Sequence, residues 1–155
     1  MTTNTTLAIS TSPIAGKGVF AKRPFKQGAV IFRIEGKHIR ENDRRLSHRG
    51  FQQSRHAFIE PRRYSLGWYL NHSCQPNAYV DGDVIRARKM ITRGTEITAD
   101  YSLFTAYPTW DMPCGCGRTC RKLIVSYGKL PTTLKKANLK WTARYLKRDA
   151  DRNNW

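Results

Sequence analysis

Short apolar runs separated by glycines and polar turns fill the first part of the chain. Runs at 7–10, 18–21 and 29–34 each suit a strand of four to six residues. Gly16, Gly18 and the segment 24–28, which contains a proline and a glycine, lie between these runs and favour turns. The pattern therefore predicts a series of short strands.

The middle of the chain alternates between polar stretches and further strand-like runs. Residues 36–56 are polar, basic and weakly periodic, and they predict an insert with one short helix and loops. Strand-like runs follow at 56–60, 78–80, 84–87 and 96–101. An Asp-Gly-Asp turn at 81–83 predicts a hairpin, and residues 64–70 suit a short helical turn that leads into Asn71.

The C-terminal segment contains one candidate helix. Apolar residues at 132–147 partly follow the helical period. Many closely spaced strands, one insert and one terminal helix predict a mostly β fold (β+α) with a small helical content. No internal repeat is present.

Composition narrows the class of protein. The chain has 155 residues, which fits one domain, and 39% of them are apolar, enough to bury a core. It contains no apolar run near the ~18 residues that a membrane-spanning helix needs. The polar start, Met-Thr-Thr-Asn-Thr-Thr, does not resemble a signal peptide. We therefore expect neither a secreted nor a transmembrane protein.

The charge is strongly positive and spread along the chain. Lys and Arg number 28 against 11 Asp and Glu, a formal net charge of +17. Such a surface attracts polyanions in a salt-dependent way, and we expect incidental polyanion affinity; the alternative is plain solubility or work in a nucleic-acid-rich compartment. No helix-turn-helix or Cys2His2 pattern indicates sequence-specific DNA recognition.

Four cysteines point to a metal site. Cys114, Cys116 and Cys120 fall within seven residues, and Cys74 is the only other cysteine. A tetrahedral site with four thiolate ligands would use all of them. Zinc is favoured over disulfides or free thiols, because Cys114 and Cys116 are poorly placed to bridge each other.

Three further motifs are ambiguous when each is taken alone. Gly16-Lys17-Gly18 is typical of a simple turn. Residues 71–77, Asn-His-Ser-Cys-Gln-Pro-Asn, could be a polar turn or contain a buried histidine. Residues 95–101, Thr-Glu-Ile-Thr-Ala-Asp-Tyr, fit an amphipathic strand that ends in a structural tyrosine.

In this order, the four motifs together resemble the SET-domain protein lysine methyltransferases. The resemblance runs over residues 15–123. It implies a SET fold, with short strands in small sheets around a pseudoknot and a C-terminal helix. It also implies a SET domain at 7–112 and a post-SET zinc segment at 113–124. Residues 125–155 lie beyond the resemblance, and their apolar spacing and charge predict a basic C-terminal helical extension.

The resemblance assigns cofactors and site residues. It implies S-adenosyl-L-methionine as methyl donor and Tyr101 as catalytic residue. The residues that would bind the cofactor are Gly16, Lys17, Gly18, Asn71, His72 and Leu123. The substrate channel would involve Tyr64, Ala99 and Phe104. Zinc would be held by Cys74, Cys114, Cys116 and Cys120, although the interval between the last two cysteines is one residue shorter than in many family members.

The resemblance predicts an S-adenosylmethionine-dependent protein-lysine N-methyltransferase that acts on basic, histone-like or ribosomal, proteins. The alternative is a catalytically silent basic zinc module that binds nucleic acid or an acidic partner. Candidates for an acidic groove that would admit a basic substrate are Glu41, Asp43, Asp81, Asp83 and Asp111. We expect a protein substrate, non-specific nucleic-acid contact and no membrane partner, with the oligomeric state, including a homodimer, left open. The expected location is cytoplasmic or nucleoid-associated for a bacterial protein and nuclear for a eukaryotic or viral one.

Overall fold

Twelve short strands provide most of the regular structure in the computed structural model, which describes residues 5–117 and 119–150. They are β1 (Leu7–Thr11), β2 (Lys17–Ala21), β3 (Val30–Arg33), β4 (Gly36–Arg40), β5 (Phe51–Gln52), β6 (Ala57–Pro61), β7 (Asn71–His72), β8 (Ala78–Asp81), β9 (Val84–Ala87), β10 (Glu96–Ala99), β11 (Asp111–Pro113) and β12 (Leu123–Val125). They form one four-stranded sheet, two three-stranded sheets and one hairpin. The predicted fold class, small sheets of short strands with a helical C-terminus, is confirmed.

The four-stranded sheet brings distant motifs together. Its strand order is β1-β2-β10-β7, with β10 antiparallel to β2 and parallel to β7. In this register Ala99 lies beside His72, Thr98 beside Asn71, and Ile97 beside Val19. Residues from three separate stretches of sequence therefore meet at one end of this sheet.

The insert at 36–56 differs from its prediction. The structure describes all of these residues, and it contains strands β4 and β5 on either side of β6 but no helix. Ile39 of β4 pairs with Phe58 of β6, and both side chains are buried, as is Phe51 of β5. Only single apolar residues anchor these strands, so the surrounding polar residues hide the strand pattern in the sequence.

The C-terminal segment contains two short helices instead of one. These are α1 (Thr132–Asn138) and α2 (Arg144–Ala150), and a 3₁₀ turn at Leu139–Trp141 follows α1. Thr142 is extended, and the next backbone N–H, from Ala143, donates to the carbonyl of Leu103 at 2.8 Å. This tertiary hydrogen bond accounts for the break in the predicted 132–147 helix.

The segment after residue 125 belongs to the main hydrophobic core. Tyr127, Leu130, Ala143, Tyr145 and Leu146 are buried in the same cluster as residues of the sheets. The Tyr145 hydroxyl donates to the Phe104 carbonyl at 2.8 Å. Within the described ranges, no helix has the length and apolar content that crossing a membrane requires.

Candidate active site

A cavity of about 650 Å³ opens beside the four-stranded sheet. Its walls are rich in aromatic side chains, and the rings include those of Phe51, Trp68, Tyr69, Tyr101, Phe104 and Trp110. Lys17, His48 and Arg49 also line it, whereas no Asp or Glu among the described residues does. This size and lining are typical of a site for a small organic molecule.

One wall of the cavity is the turn at 15–17. The Ser12 hydroxyl accepts hydrogen bonds from the N–H groups of Ile14 and Ala15, and the Ser12 N–H donates to the Gly16 carbonyl. Gly16 has φ +50°, a conformation that glycine adopts without strain. Ala15, Gly16 and Lys17 line the cavity, whereas Gly18 does not.

Asn71, on β7, lies beside this turn in space. Its Nδ2 donates to the carbonyl oxygens of Ala15 (3.2 Å) and Lys17 (3.1 Å) and to Oε1 of Glu96 (2.8 Å). Asn71 also lines the cavity. The side chain thus ties β7 to the turn and leaves its amide oxygen for another partner.

The side chain of His72 is buried and does not line the cavity. Its Nδ1 accepts a hydrogen bond from the Tyr101 N–H at 3.2 Å, and its Nε2 is 3.3 Å from the Cys74 sulfur. Burial lowers the pKa of His72 to about 4, although the carboxylate of Asp100 opposes this shift. The ring is therefore neutral, and its single proton lies on Nε2 because Nδ1 is an acceptor. His72 could contact a ligand in the cavity only through its backbone.

Tyr101 begins a 3₁₀ turn (Tyr101–Leu103) that Asp100 caps by accepting from the Ser102 N–H. The Tyr101 hydroxyl donates to the Leu70 carbonyl, and the ring meets Phe104 edge-on at 5.7 Å between centroids. Burial raises the pKa of Tyr101 above its usual range, so the phenol stays protonated. It therefore presents a neutral oxygen at the cavity wall and not a base.

The predicted channel residues lie in different places. Phe104 lines the cavity. Ala99 is fully buried in β10 and does not reach the cavity. Tyr64 is 62% exposed and outside the lining, although its ring stacks on Tyr69, which is part of the wall. Leu123, predicted at the cofactor, is exposed on β12 and does not line the cavity.

A cluster of thiols lies behind His72. The sulfur of Cys114 is 3.7 Å from that of Cys74 and 3.4 Å from that of Cys116. A tetrahedral zinc ion with Zn–S bonds of about 2.3 Å separates its sulfur ligands by about 3.8 Å, so these three thiols fit zinc. Within the described residues, the potential ligand atoms that lie within 4.8 Å of one another come from His72, Cys74, Cys114 and Cys116.

Two groups are candidates for the fourth ligand, Nε2 of His72 and the sulfur of Cys120. Because Nδ1 of His72 accepts from the Tyr101 N–H, Nε2 carries the proton in this arrangement and donates to the Cys74 sulfur, so a metal bound there would have to displace that proton. Cys120 is the remaining thiol. Its sulfur lies 3.4 Å from the Cys114 carbonyl oxygen, and it is not among the ligand atoms that lie within 4.8 Å of one another. A site with four thiolate ligands would therefore require the Cys120 side chain to move toward the other three sulfurs.

Arg121 links the cysteine segment to the turn that begins at Tyr101. Its Nη2 donates to Oδ1 of Asp100 at 2.6 Å, and its backbone N–H donates to the sulfur of Cys74 at 3.3 Å. Asp100 is 5% exposed, so this ion pair is shielded from water. A metal-bound segment would thus help to hold the turn that carries Tyr101.

Arg49 is a second cation at the site, and the sequence does not predict it. Its guanidinium lies 4.6 Å from the Trp68 ring centroid, and its Nη1 donates to the Trp68 carbonyl at 3.0 Å. Its Nε is buried without a hydrogen-bond partner. The insert has no motif that marks Arg49, whereas Asp100 and Glu96 belong to the motif at 95–101.

Comparisons with known proteins agree with this geometry. A family model described as "SET domain" matches residues 16–102. The chain is 35% identical, over 132 residues, to a histone-lysine N-methyltransferase, H3 lysine-36 specific, of Candida albicans. It is 31% identical, over 134 residues, to the histone-lysine N-methyltransferase trr of Drosophila melanogaster. These matches cover 72% and 74% of this chain but only 16% and 6% of the relatives.

A solved structure shares the fold. The crystal structure of KRYPTONITE in complex with mCHG DNA and SAH matches with a TM-score of 0.62 and 23% identity. The match covers 76% of this chain and 28% of the other.

Proposed function

The chain belongs to the SET-domain family, and on this premise we propose that it transfers a methyl group from S-adenosylmethionine to lysine side chains of a protein. The observation that carries the proposal is that Tyr101, Asn71 and the turn at 15–17 line one cavity of about 650 Å³. The histone-lysine methyltransferase names of its relatives support the reaction class.

The cavity fits the chemical groups of S-adenosylmethionine. Its aromatic walls suit adenine and a sulfonium, which aromatic faces attract. The unpaired amide oxygen of Asn71 suits an ammonium group. The cofactor's carboxylate matches the guanidinium of Arg49, which has no acidic partner among the described residues that line the cavity.

The chemistry requires a neutral lysine amine and accurate alignment. S-adenosylmethionine supplies an electrophilic methyl group on a positively charged sulfur. A lysine in water has a pKa of about 10.4, and an apolar, cation-lined cavity lowers it by disfavouring the ammonium form. Because no carboxylate of the described chain lines the cavity, the proton leaves to water before the amine attacks.

In this proposal, Tyr101 and the Leu70 carbonyl that accepts its hydroxyl proton orient the amine of the substrate lysine. The phenol proton is committed to the Leu70 carbonyl, so the phenol oxygen turns its lone pairs to the cavity. There they accept a hydrogen bond from the amine and contact the polarised methyl group. Alignment of nitrogen, methyl and sulfur supplies most of the rate enhancement in such a displacement.

Zinc in this proposal has a structural role. Cys74, Cys114, Cys116 and Cys120 would hold it, and it would fix the cysteine segment next to Arg121 and therefore next to Asp100. The ion takes no part in methyl transfer.

Basic proteins presented on nucleic acid are the proposed substrates. Four of the five acidic residues considered for an entrance groove are paired with neighbouring basic residues. These pairs are Glu41 with His56, Asp43 with Arg45, Asp81 with Arg86 and Arg144, and Asp83 with Arg33. A chain with a net charge of +17 repels a bare basic tail, whereas a tail on nucleic acid escapes this repulsion. KRYPTONITE, which shares the fold, was crystallised with DNA and, in another structure, with an H3 peptide as well.

The test is methyl transfer to a panel of basic proteins. The full chain is incubated with S-adenosylmethionine and with free histones, nucleosomes or ribosomal proteins, and modified lysines are located by mass spectrometry. We expect lysine methylation that is stronger on nucleosomes than on free histones and that Tyr101→Phe reduces. A chain that binds S-adenosylhomocysteine but modifies no protein in the panel would contradict the proposal.

A further inference from the structure

The carboxylate of Glu96 lies directly beneath the turn at 15–17. Glu96 begins β10, and its Oε1 accepts from Asn71 Nδ2 at 2.8 Å while its Oε2 accepts from the Ser12 hydroxyl at 3.0 Å. The Ser12 hydroxyl in turn accepts from the N–H groups of Ile14 and Ala15. One carboxylate therefore orders both the turn and the asparagine that lines the cavity.

The hydrogen bonds of Asn71 define which end of its carboxamide faces the cavity. Nδ2 is surrounded by three acceptors, which are the carbonyls of Ala15 and Lys17 and the carboxylate of Glu96. The amide oxygen has no hydrogen-bond partner among the described residues, and it is not among the buried unpartnered atoms. This oxygen can therefore accept a hydrogen bond from a ligand in the cavity.

Gly18 makes room for the Glu96–Asn71 pair. A Cβ at position 18 would lie 2.1 Å from Glu96 Oε1 and 3.2 Å from Asn71 Nδ2. The first distance is shorter than real contacts allow, so any side chain here displaces the carboxylate. The second glycine of the Gly16-Lys17-Gly18 motif thus serves the carboxylate that holds Asn71 and does not form the cavity wall.

We infer that Glu96 is a positioning residue that holds the amide oxygen of Asn71 toward the α-ammonium of the bound cofactor. The inference rests on the proposed function, because the ammonium belongs to the methionine end of S-adenosylmethionine. Without Glu96, the NH₂ group of Asn71 loses the shortest and only charged of its three acceptors, and only the carbonyls of Ala15 and Lys17 still oppose a turn of the carboxamide. Such a turn would present the NH₂ group to a cation, which cannot accept a hydrogen bond. Glu96 also places a negative charge one side chain away from the ammonium, which favours the same orientation of the ligand.

The test compares two ligands that differ at the methionine end of the cofactor. S-adenosylhomocysteine carries the ammonium and carboxylate, whereas 5′-methylthioadenosine lacks both. Calorimetric titration of the full chain should show that Glu96→Ala weakens S-adenosylhomocysteine about tenfold to a hundredfold, the range expected when a hydrogen bond to a charged group is removed. Binding of 5′-methylthioadenosine should change less than about twofold. Glu96→Gln, which keeps an acceptor oxygen for Asn71, should restore most of the affinity.

A second variant covers the case in which Glu96→Ala fails to fold. Gly18→Ala keeps the carboxylate but displaces it, and it should show the same selective loss for S-adenosylhomocysteine. Gly128→Ala is the matched control, because nothing lies within 4 Å of a Cβ at that position. If these variants bound both ligands equally more weakly, Glu96 would only support the local structure and would not position Asn71 for the ammonium. Unchanged affinities for both ligands would overturn the inference. If the wild-type chain bound neither ligand, the proposed function itself would fail, and this inference would fail with it.

Discussion

The backbone N–H of Tyr101 donates to Nδ1 of His72, which joins two motifs 29 positions apart in the sequence. The opposite nitrogen of the same ring lies 3.3 Å from the sulfur of Cys74. His72 therefore connects Tyr101 to the cysteine cluster through one neutral imidazole. This connection explains how a buried histidine contributes to the site without lining the cavity.

Tyr101→Phe should reduce turnover and leave cofactor binding nearly unchanged. The substitution removes the hydroxyl that bonds to the Leu70 carbonyl, but it keeps the ring contacts with Phe104 and Trp110. Loss of one orienting hydrogen bond, about 1–1.5 kcal/mol, corresponds to a decrease in kcat of about fivefold to twelvefold. Single-turnover rates and calorimetric titration with S-adenosylhomocysteine measure the two quantities separately.

Tyr107→Phe is the matched control for this prediction. Tyr107 also lines the cavity, but it is 41% exposed. Its substitution should alter turnover less than about twofold. If Tyr101→Phe instead weakened cofactor binding and spared turnover, the role of Tyr101 would be misassigned.

The rate should rise with pH without any contribution from Tyr101. The neutral amine is the nucleophile, so kcat/KM should rise about tenfold per pH unit below the pKa of the substrate lysine. Burial raises the pKa of Tyr101 above its usual range, so the phenol does not titrate in this interval. The pH profiles of the wild type and of Tyr101→Phe should therefore run parallel. An additional inflection in the pH profile of kcat/KM, present in the wild type and absent from Tyr101→Phe, would identify Tyr101 as a base.

One zinc ion should bind per chain. Metal analysis of protein purified without chelator should give a stoichiometry near one, and Cys74→Ser or Cys120→Ser should lower it strongly. Because Nδ1 of His72 accepts from the Tyr101 N–H, the proton on Nε2 opposes metal binding by this ring, and we expect His72→Gln to retain the metal. The reverse result, with zinc absent from His72→Gln and kept in Cys120→Ser, would show that His72 is the fourth ligand beside Cys74, Cys114 and Cys116.

The sequence predicts the strands whose apolar residues are continuous and does not reveal those that depend on single contacts. β2 and β10 are recognisable from Val19 and Ile97, which are fully buried. β4 and β5 escape prediction because Ile39 and Phe51 are isolated among polar residues and pair with β6 only in three dimensions. The break at Thr142 is hidden for a related reason, since it depends on a hydrogen bond to Leu103.

The site is predictable as a set of motifs but not as a network. Asn71 and Tyr101 can be identified in the sequence, and both line the cavity. No sequence pattern indicates that Gly18 accommodates Glu96, because that contact joins β2 to β10. Arg49 cannot be found from a motif either, since only its contact with Trp68 places it in the wall.

Arg49 should recognise the carboxylate of the cofactor. Arg49→Met keeps an apolar side chain over Trp68 but removes the charge, and it should weaken S-adenosylmethionine about tenfold. Decarboxylated S-adenosylmethionine should bind the wild type and this variant with similar affinity. Arg44→Met, in an exposed part of the same insert, should affect neither ligand. An equal loss for both ligands in Arg49→Met would indicate that the arginine only supports Trp68.

The basic surface of the C-terminal segment should contribute to nucleic-acid binding. Removing residues 126–155 cannot test this, because Tyr145 and Leu146 are buried in the core and their loss would unfold the protein. Charge removal at exposed positions avoids that problem, and Lys129, Lys136 and Arg148 are exposed. The triple substitution of these residues by Gln should weaken DNA binding. It should also reduce the slope of log K against log salt by about one unit for each phosphate that the variant no longer neutralises.

The matched control for the C-terminal surface is a triple substitution in the insert. Lys37, Arg40 and Arg44 are also exposed, and their replacement by Gln removes the same charge. If the C-terminal surface binds the phosphates, its variant should flatten the salt dependence more than the control does, while methylation of a free lysine peptide stays unchanged. If only the control flattened it, the polyanion would bind the insert, beside the strands that form the cavity wall. Equal flattening by both variants would mean that the attraction depends on the overall charge of +17 and on no particular surface.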